Sequence, residues 1–320
     1  MTMNRFERIR FAALMKRACV AGGTRCPEGR RLFSARENPL LRAEGAAFVS
    51  VPGGCALMGA FGEDGFFSAL CAADEEAAAS LLALVEEKLR GLGAARVIGP
   101  VSPSLIDLSG GAAILPDGAA MDSPFADYLP AFVERALRRR GYAPCSRSIL
   151  YELDPSRVDW PRYERAAAYA GRRFGLRAVS AKEMGDRAAC QAVARLSRTD
   201  PAFSHTDEET AALLSGLGRR WSRRLTQVAL RGDEPVGYLL ALEDRPSGAI
   251  RAATIQVRPD FQGRAVPAVL ALPLLRAAGG RRVECGVIAE DNLASRLVLE
   301  RAGARAKTVS MRFGKELTKN

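Results

Sequence analysis

The sequence predicts an α/β (α+β) chain made of two similar halves, each a sheet flanked by helices. Three observations point that way. Apolar runs of strand length alternate with stretches of helical period along the whole chain. A series of hairpin, strand, helix, strand, helix and strand occurs twice, before and after the segment Asp154 to Pro161. The 320 residues suffice for two domains of ordinary size.

Taken in order, residues up to about Arg36 are basic and weakly periodic, one helix and a loop. Ala47 to Val51 reads as a strand, Pro52-Gly53-Gly54 as a turn, and Cys55 to Ala60 as the return strand. Phe66 to Leu70 is a further strand. Asp74 then caps a helix from Glu75 to Leu92, whose Leu81, Leu82, Val85 and Leu89 share one face. Val97-Ile98 is a short buried strand. A Gly/Pro/Ser-rich loop follows, then a helix from Tyr128 to Arg140 and a strand from Ser148 to Leu153. The two prolines between Asp154 and Pro161 mark the boundary. Beyond it, Arg162 to Phe174 is helical, Val179 to Leu196 mostly so, and Thr206-Asp207-Glu208-Glu209 is a capping box. Gln227 to Leu240 is a hairpin around Gly232, and Val309 to Phe313 is the closing strand.

The net charge of +11 favours anionic partners, but it is spread along the chain with no nucleic-acid motif beside it. Nucleic acid is therefore not an expected partner. Seven cysteines without a Cys-x-x-Cys, and a single histidine, His205, argue against a zinc site or a Ser-His-Asp triad. No metal is expected. Scattered, odd-numbered cysteines suit a reducing cytoplasm. There is no long apolar segment to span a membrane, and the run Phe11 to Met15 is too short for a signal-peptide core, so no membrane partner is expected.

The stretch from Thr254 to Gly303 organises the second half. Thr254 to Val257 reads as a strand, Arg258 to Pro267 as a turn-forming loop, and Ala268 to Ala277 as a helix. Val283 to Ile288 is a second strand, ending in Glu290-Asp291-Asn292 before a helix from Leu293 to Arg301. Free N–H groups at a helix start form an anion site, and a glycine lets the main chain approach it. The run Val257-Arg258-Pro259-Asp260-Phe261-Gln262-Gly263-Arg264, with Glu290-Asp291-Asn292, Ser295 and Gly303, resembles the GNAT superfamily of acyl-CoA-dependent N-acetyltransferases. That family's loop reads Gln/Arg-x-x-Gly-x-Gly/Ala. Here Gln262 stands, while the two small positions are Ala265 and Pro267.

The resemblance implies two tandem GNAT-like domains, residues 1–156 and 162–320, each with a mixed, mostly antiparallel sheet. It implies acetyl-CoA as co-substrate, a small-molecule or peptide amine as acceptor, and N-acyl transfer in the C-terminal half. The alternative is a non-catalytic GNAT-like binding or scaffold protein. By the same resemblance, Val257 supplies backbone to the pantetheine arm. Gln262, Gly263, Arg264, Ala265, Val266 and Ala268 flank the phosphates, and Asn292 and Ser295 line the arm. The family's frequent general acid, a tyrosine on the last helix, corresponds here to Leu299. In the first half, Ala72-Ala73-Asp74-Glu75-Glu76 stands where the loop would be, and carboxylates at a helix start repel a pyrophosphate.

Among titratable residues, Glu284 is the candidate base, because a carboxylate within an apolar strand is poised for a raised pKa if it faces a cleft. A salt bridge to Arg281 or Arg282 is the competing explanation. His205 reads as a helix-entry residue and Cys285 as core. The run Arg138-Arg139-Arg140 reads as a solvated helix end complementing the dipole.

Overall fold

The computed structural model describes residues 5–24, 33, 38–102, 111–197, 214 and 217–317. His205, Cys26 and the Thr206 capping box lie outside the described residues. The chain divides into two compact units. Unit 1 holds Met1–Ile149, Ile288–Asp291 and Thr308–Asn320, and unit 2 holds Leu150–Val287 and Asn292–Lys307. The last strand of the sequence thus belongs largely to the unit built from the first half.

Unit 1 opens with helix α1 (Arg5–Ala21) and the strands β1 (Glu44–Val51), β2 (Gly54–Phe61) and β3 (Asp64–Ala72). Helix α2 (Glu75–Gly91), β4 (Arg96–Val101), β5 (Ala112–Leu115), β6 (Tyr128–Pro130) and α3 (Ala131–Arg139) follow. Two long strands, β7 (Ala143–Leu153) and β13 (Arg305–Glu316), cross the division between the units along the chain. The strand order in unit 1 is β1-β2-β3-β4-β13-β7, with β5 and β6 paired beside β13. β1, β2 and β3 are antiparallel neighbours, and β3 runs parallel to β4. β13 closes antiparallel on β4, with Phe313 opposite Gly99 and Lys315 opposite Val97.

The Asp74 side chain caps α2 by accepting from the Ala77 N–H at 2.8 Å. Leu81, Leu82, Val85 and Leu89 are fully buried along one face of α2, against Phe67, Val97 and Phe313 among others. Each contributes about 1.5–3 kcal/mol by burial. Phe11, Met15, Ala18 and Cys19 of α1 join a second cluster with Leu57 and Phe66. β2 therefore reads as a continuous apolar run because it is covered on both faces.

Unit 2 contains α4 (Trp160–Phe174), β8 (Leu176–Ser180), the short α5 (Ala181–Met184) and α6 (Asp186–Ser197). It continues with β9 (Gln227–Arg231), β10 (Glu234–Asp244), β11 (Ala249–Val257), α7 (Val266–Ala278), β12 (Val283–Ala289) and α8 (Leu293–Arg301). Its strand order is β7-β12-β11-β10-β9-β8. β8 to β11 are antiparallel, and β11 runs parallel to β12. Each unit therefore has a parallel pair at the same place in its series of elements, and unit 1 has a second, β5 with β6.

Four sequence expectations are corrected. The chain from Tyr128 to Pro130 is a strand, and Pro130 is the N-cap from which α3 starts. β5 lies in what reads as loop, a four-residue strand too short to signal itself. Val179 and Ser180 belong to β8, and Ser180 begins α5 with a capping box to Glu183. Arg140 is not solvated with its neighbours. It makes a two-armed contact, Nε and Nη2 at 2.9 and 3.0 Å, to the buried carboxylate of Glu86.

Candidate functional site in unit 2

β11 and β12 share only three register pairs: Ile250 with Val283, Arg251 with Glu284 and Ala252 with Cys285. The strands then part. β11 carries a register shift between its Ala252 and Thr254 pairings with β10, so Ala253 is the extra residue of a bulge. On β12, Gly286 takes φ +60°, a left-handed conformation that an L side chain resists. The bulge and the left-handed glycine bend the two strands at the point of separation. Beyond it, one edge of β11 from Thr254 to Val257 has no strand partner among the described residues, while its other edge stays bonded to β10. That edge offers main-chain donors and acceptors to a ligand.

The loop after Val257 is held by short-range bonds. Arg258 N–H donates to Val236 O at 2.9 Å, and Phe261 N–H to Arg258 O at 2.9 Å. Gln262 and Arg264 N–H donate to Pro259 O and Phe261 O. Phe261 is buried as the anchor. Gly263 adopts φ +76°, and Ala265, the N-cap of α7, adopts φ +56° with ψ +22°. The N–H groups of Gly263, Ala265 and Val266 have no acceptor among the described residues. Pro267 stands second in α7 and has no N–H to add. Gly237 lies under this helix start. A Cβ there would sit 2.9 Å from Val266 Cγ1 and 3.0 Å from Gln256 O, so only glycine allows α7 so close to β10.

The Arg264 guanidinium lies 4.8 Å from the ring centroid of Phe261 and 5.3 Å from that of Phe174. It makes no ion pair among the described residues. Two aromatic faces therefore hold a cation at the N-terminus of α7. Arg258 also stacks on Phe261, at 4.6 Å, but its charge is taken by Asp260 and Glu234, both 2.6 Å away. Asp260, and then Glu234, hold the Arg258 pKa above its ordinary value.

Glu284 is buried, and its partner is neither Arg281 nor Arg282. Its carboxylate accepts from Lys307 Nζ at 2.9 Å, and Glu152 lies 3.3 Å from the same ammonium. Burial pushes the Lys307 pKa down, but the bonds and charges of Glu284 and Glu152 outweigh it and raise it. Arg281 pairs instead with Glu243 and Arg282 with Glu152. Burial, with Glu284 next to it, pushes the Cys285 thiol up to about 12, which fits a core residue.

Asn292 is the N-cap of α8, its Oδ1 accepting from Ser295 N–H at 3.1 Å. The helix has no buried residue, and Leu293 and Val298 are exposed. Leu299 is half-buried on it. Tyr151, which the sequence did not single out, donates to Glu300 Oε1 at 2.7 Å and accepts from Arg296 Nε at 3.2 Å. Burial, then the Glu300 carboxylate, raises its pKa, so its hydroxyl keeps its proton at neutral pH. The only signal for it in the sequence is a polar-tipped aromatic inside an apolar strand. Lys307 left no signal, since its partners lie on two other strands.

Unit 1 differs at the matching place. β3 and β4 pair from Asp64 with Arg96 to Ser68 with Val101, and the cavity beyond them, beside Ala69, Cys71 and Ser102, measures about 40 Å³. At the start of α2, Asp74 already caps the helix, and Glu75 pairs with Arg135 and Arg139.

No protein-family model and no curated protein matches the sequence. Solved structures do match the fold. A tandem GNAT protein from the clavulanic acid biosynthesis pathway is 17% identical, with TM-score 0.59, over 100% of this chain and 98% of its own. A GCN5-related N-acetyltransferase from Sphaerobacter thermophilus is 19% identical, TM-score 0.52, covering 96% and 91%. A conserved protein from Enterococcus faecalis V583, described as a probable N-acyltransferase, is 11% identical, TM-score 0.54, covering 100% and 72%. With the same series of elements in both units, and neighbours that match it from end to end, the chain has the tandem GNAT fold.

Proposed function

We propose that the protein is an acyl-CoA-dependent N-acyltransferase with one acyl-CoA site, in unit 2, and an amine as acceptor. What supports this is the way β11 parts from β12 and leads into a helix start with spare N–H donors and a stacked arginine. Those groups suit a pyrophosphate: three main-chain donors, the positive end of a 13-residue helix, and a fixed cation. Gly263, Ala265 and Val266 would donate to it, Arg264 would add its charge, and the free edge ending at Val257 would bind the pantetheine amides. Gln262 is exposed and Ala268 buried beside this loop, so Gln262 alone of the two can reach a ligand with its side chain. Bound acyl-CoA supplies an activated acyl group as a thioester.

The chain's own part in the chemistry is positioning and proton handling. Glu284 is the candidate base on β12, with Lys307 Nζ 2.9 Å from its Oε1. Tyr151 is a protonated hydroxyl buried beside α8, the helix on which Leu299 replaces the usual acid. Asn292 and Ser295 set where α8 begins. Three carboxylates at the start of α2 weigh against a second acyl-CoA site in unit 1.

Calorimetric titration of the full chain with acetyl-CoA tests this. One site should appear, weakened about tenfold or more by Arg264→Ala, since a hydrogen bond to a charged group contributes about 1.5–3 kcal/mol. Glu76→Gln at the unit 1 helix should change nothing. Equal losses from both variants, or no binding at millimolar acetyl-CoA, would overturn the one-site reading. Pro267 and Leu299 favour a second reading, a GNAT-like protein that binds without transfer. It predicts CoA binding with no acyl transfer to any of a panel of primary amines.

A further inference from the structure

Helix α1 is apolar on two opposite sides. Phe11, Met15, Ala18 and Cys19 are buried in unit 1. On the other side Phe6 is 83% exposed, Ile9 58% and Val20 69%. At about 100° per residue, Phe6, Ile9, Ala13 and Val20 fall within about 60° of one another. Three of the eight exposed large apolar side chains among the described residues therefore lie in one stripe on one helix. Lys16 and Arg17 flank that stripe on either side and Arg10 lies just beyond Arg17, all three exposed and without an ion pair among the described residues. Glu7 is about a quarter turn or more away from the stripe.

From this arrangement we propose that the outer face of α1 binds an anionic lipid surface. The apolar side chains would enter the boundary between headgroups and acyl chains. The long stems of Lys16, Arg17 and Arg10 would lie along them and carry their charges to lipid phosphates. Charge decides between the possible occupants. A second copy of the chain would set Arg10, Lys16 and Arg17 against the same cations, and such like-charge contacts oppose association. A nucleic acid would meet the cations but gain little from Phe6, Ile9 and Val20. An anionic membrane takes both. The net charge of +11 adds long-range attraction to such a surface. Peripheral binding of this kind needs no spanning segment, and no helix among the described residues is long and apolar enough to be one. The proposal is independent of acyl-CoA binding in unit 2.

Sedimentation of the full chain with vesicles tests it. Vesicles of equal parts phosphatidylcholine and phosphatidylglycerol should carry the protein down at low salt, and pure phosphatidylcholine vesicles should not. Joint Arg10→Gln, Lys16→Gln and Arg17→Gln changes should weaken binding about a hundredfold. Joint Phe6→Ser, Ile9→Ser and Val20→Ser changes should weaken it about tenfold or more. These residues face outward, and an unchanged far-UV circular dichroism spectrum certifies that each variant is folded. Failure of the parent to bind the anionic vesicles would overturn the proposal, as would binding that neither set of changes weakens. If the serine set binds like the parent while the glutamine set does not, the face is a general polyanion site. If the serine set instead changes the oligomeric state, a second copy occupies the face and the lipid assignment is wrong.

Discussion

Ala265 is, with Ala69, one of the two non-glycine residues at positive φ among the described residues. It sits at φ +56°, where a Cβ costs roughly 1–2 kcal/mol. Ala265→Gly should therefore raise unfolding free energy by about 1 kcal/mol, seen as a higher urea midpoint at unchanged slope. The same change should tighten acetyl-CoA binding by easing the backbone's approach. Glu284→Gln separates two roles. A base lost from the transfer step lowers kcat and leaves the urea midpoint in place. A strand anchor lost from Lys307 lowers the urea midpoint and leaves kcat in place. The loop residues were legible because their types state their backbone needs: a glycine at positive φ, a proline without a donor. Glu284 was legible only as a buried carboxylate. Its partner was not, because Lys307 reaches it across the sheet and no local spacing encodes that meeting.

At the scale of elements, α8 depends on its cap. None of its residues is fully buried, so the Asn292 bond to Ser295 N–H carries a large share of its stability. Asn292→Ala should cost about 1 kcal/mol and speed amide exchange through the first turn of α8, with α7 unaffected. Long elements with strong patterns were readable: α2 with its Asp74 cap, α4 ahead of Gly175, and the hairpin around Gly232. Errors gathered where elements are short. β6 is three residues long beside a helix, and β8 ends in a residue that also caps α5. In such places tertiary pairing overrides a local preference, and nothing in the sequence marks the switch.

At the scale of the molecule, Glu86 joins three parts of unit 1. Its buried carboxylate meets Arg140 after α3 and Lys315 on β13, both at 2.9 Å, and Arg90 on its own helix. Burial pushes its pKa up, but Arg140 and Lys315 outweigh this and hold it below the ordinary 4.5. The folded pKa lies below the unfolded one, so this contribution is complete above about pH 4.5 and fades as pH falls through the folded value. Glu86→Gln should lower stability at pH 7 by about 1–3 kcal/mol and flatten the acid limb of the stability profile. A chain ending at Lys307 loses both Lys315 and the strand opposite β4. Amide exchange at Arg96 to Gly99 should then lose its protection while β9 and β10 keep theirs.

The place of β13 in unit 1 has a consequence for how the protein is made. Residues 308–316 leave the ribosome only after unit 2 has been made up to Lys307, yet β4 and β5 pair with them. Unit 1 cannot finish its sheet until they emerge, however early its first residues do. Until then the growing chain must carry β4 with a bare edge, and such an edge is open to wrong partners.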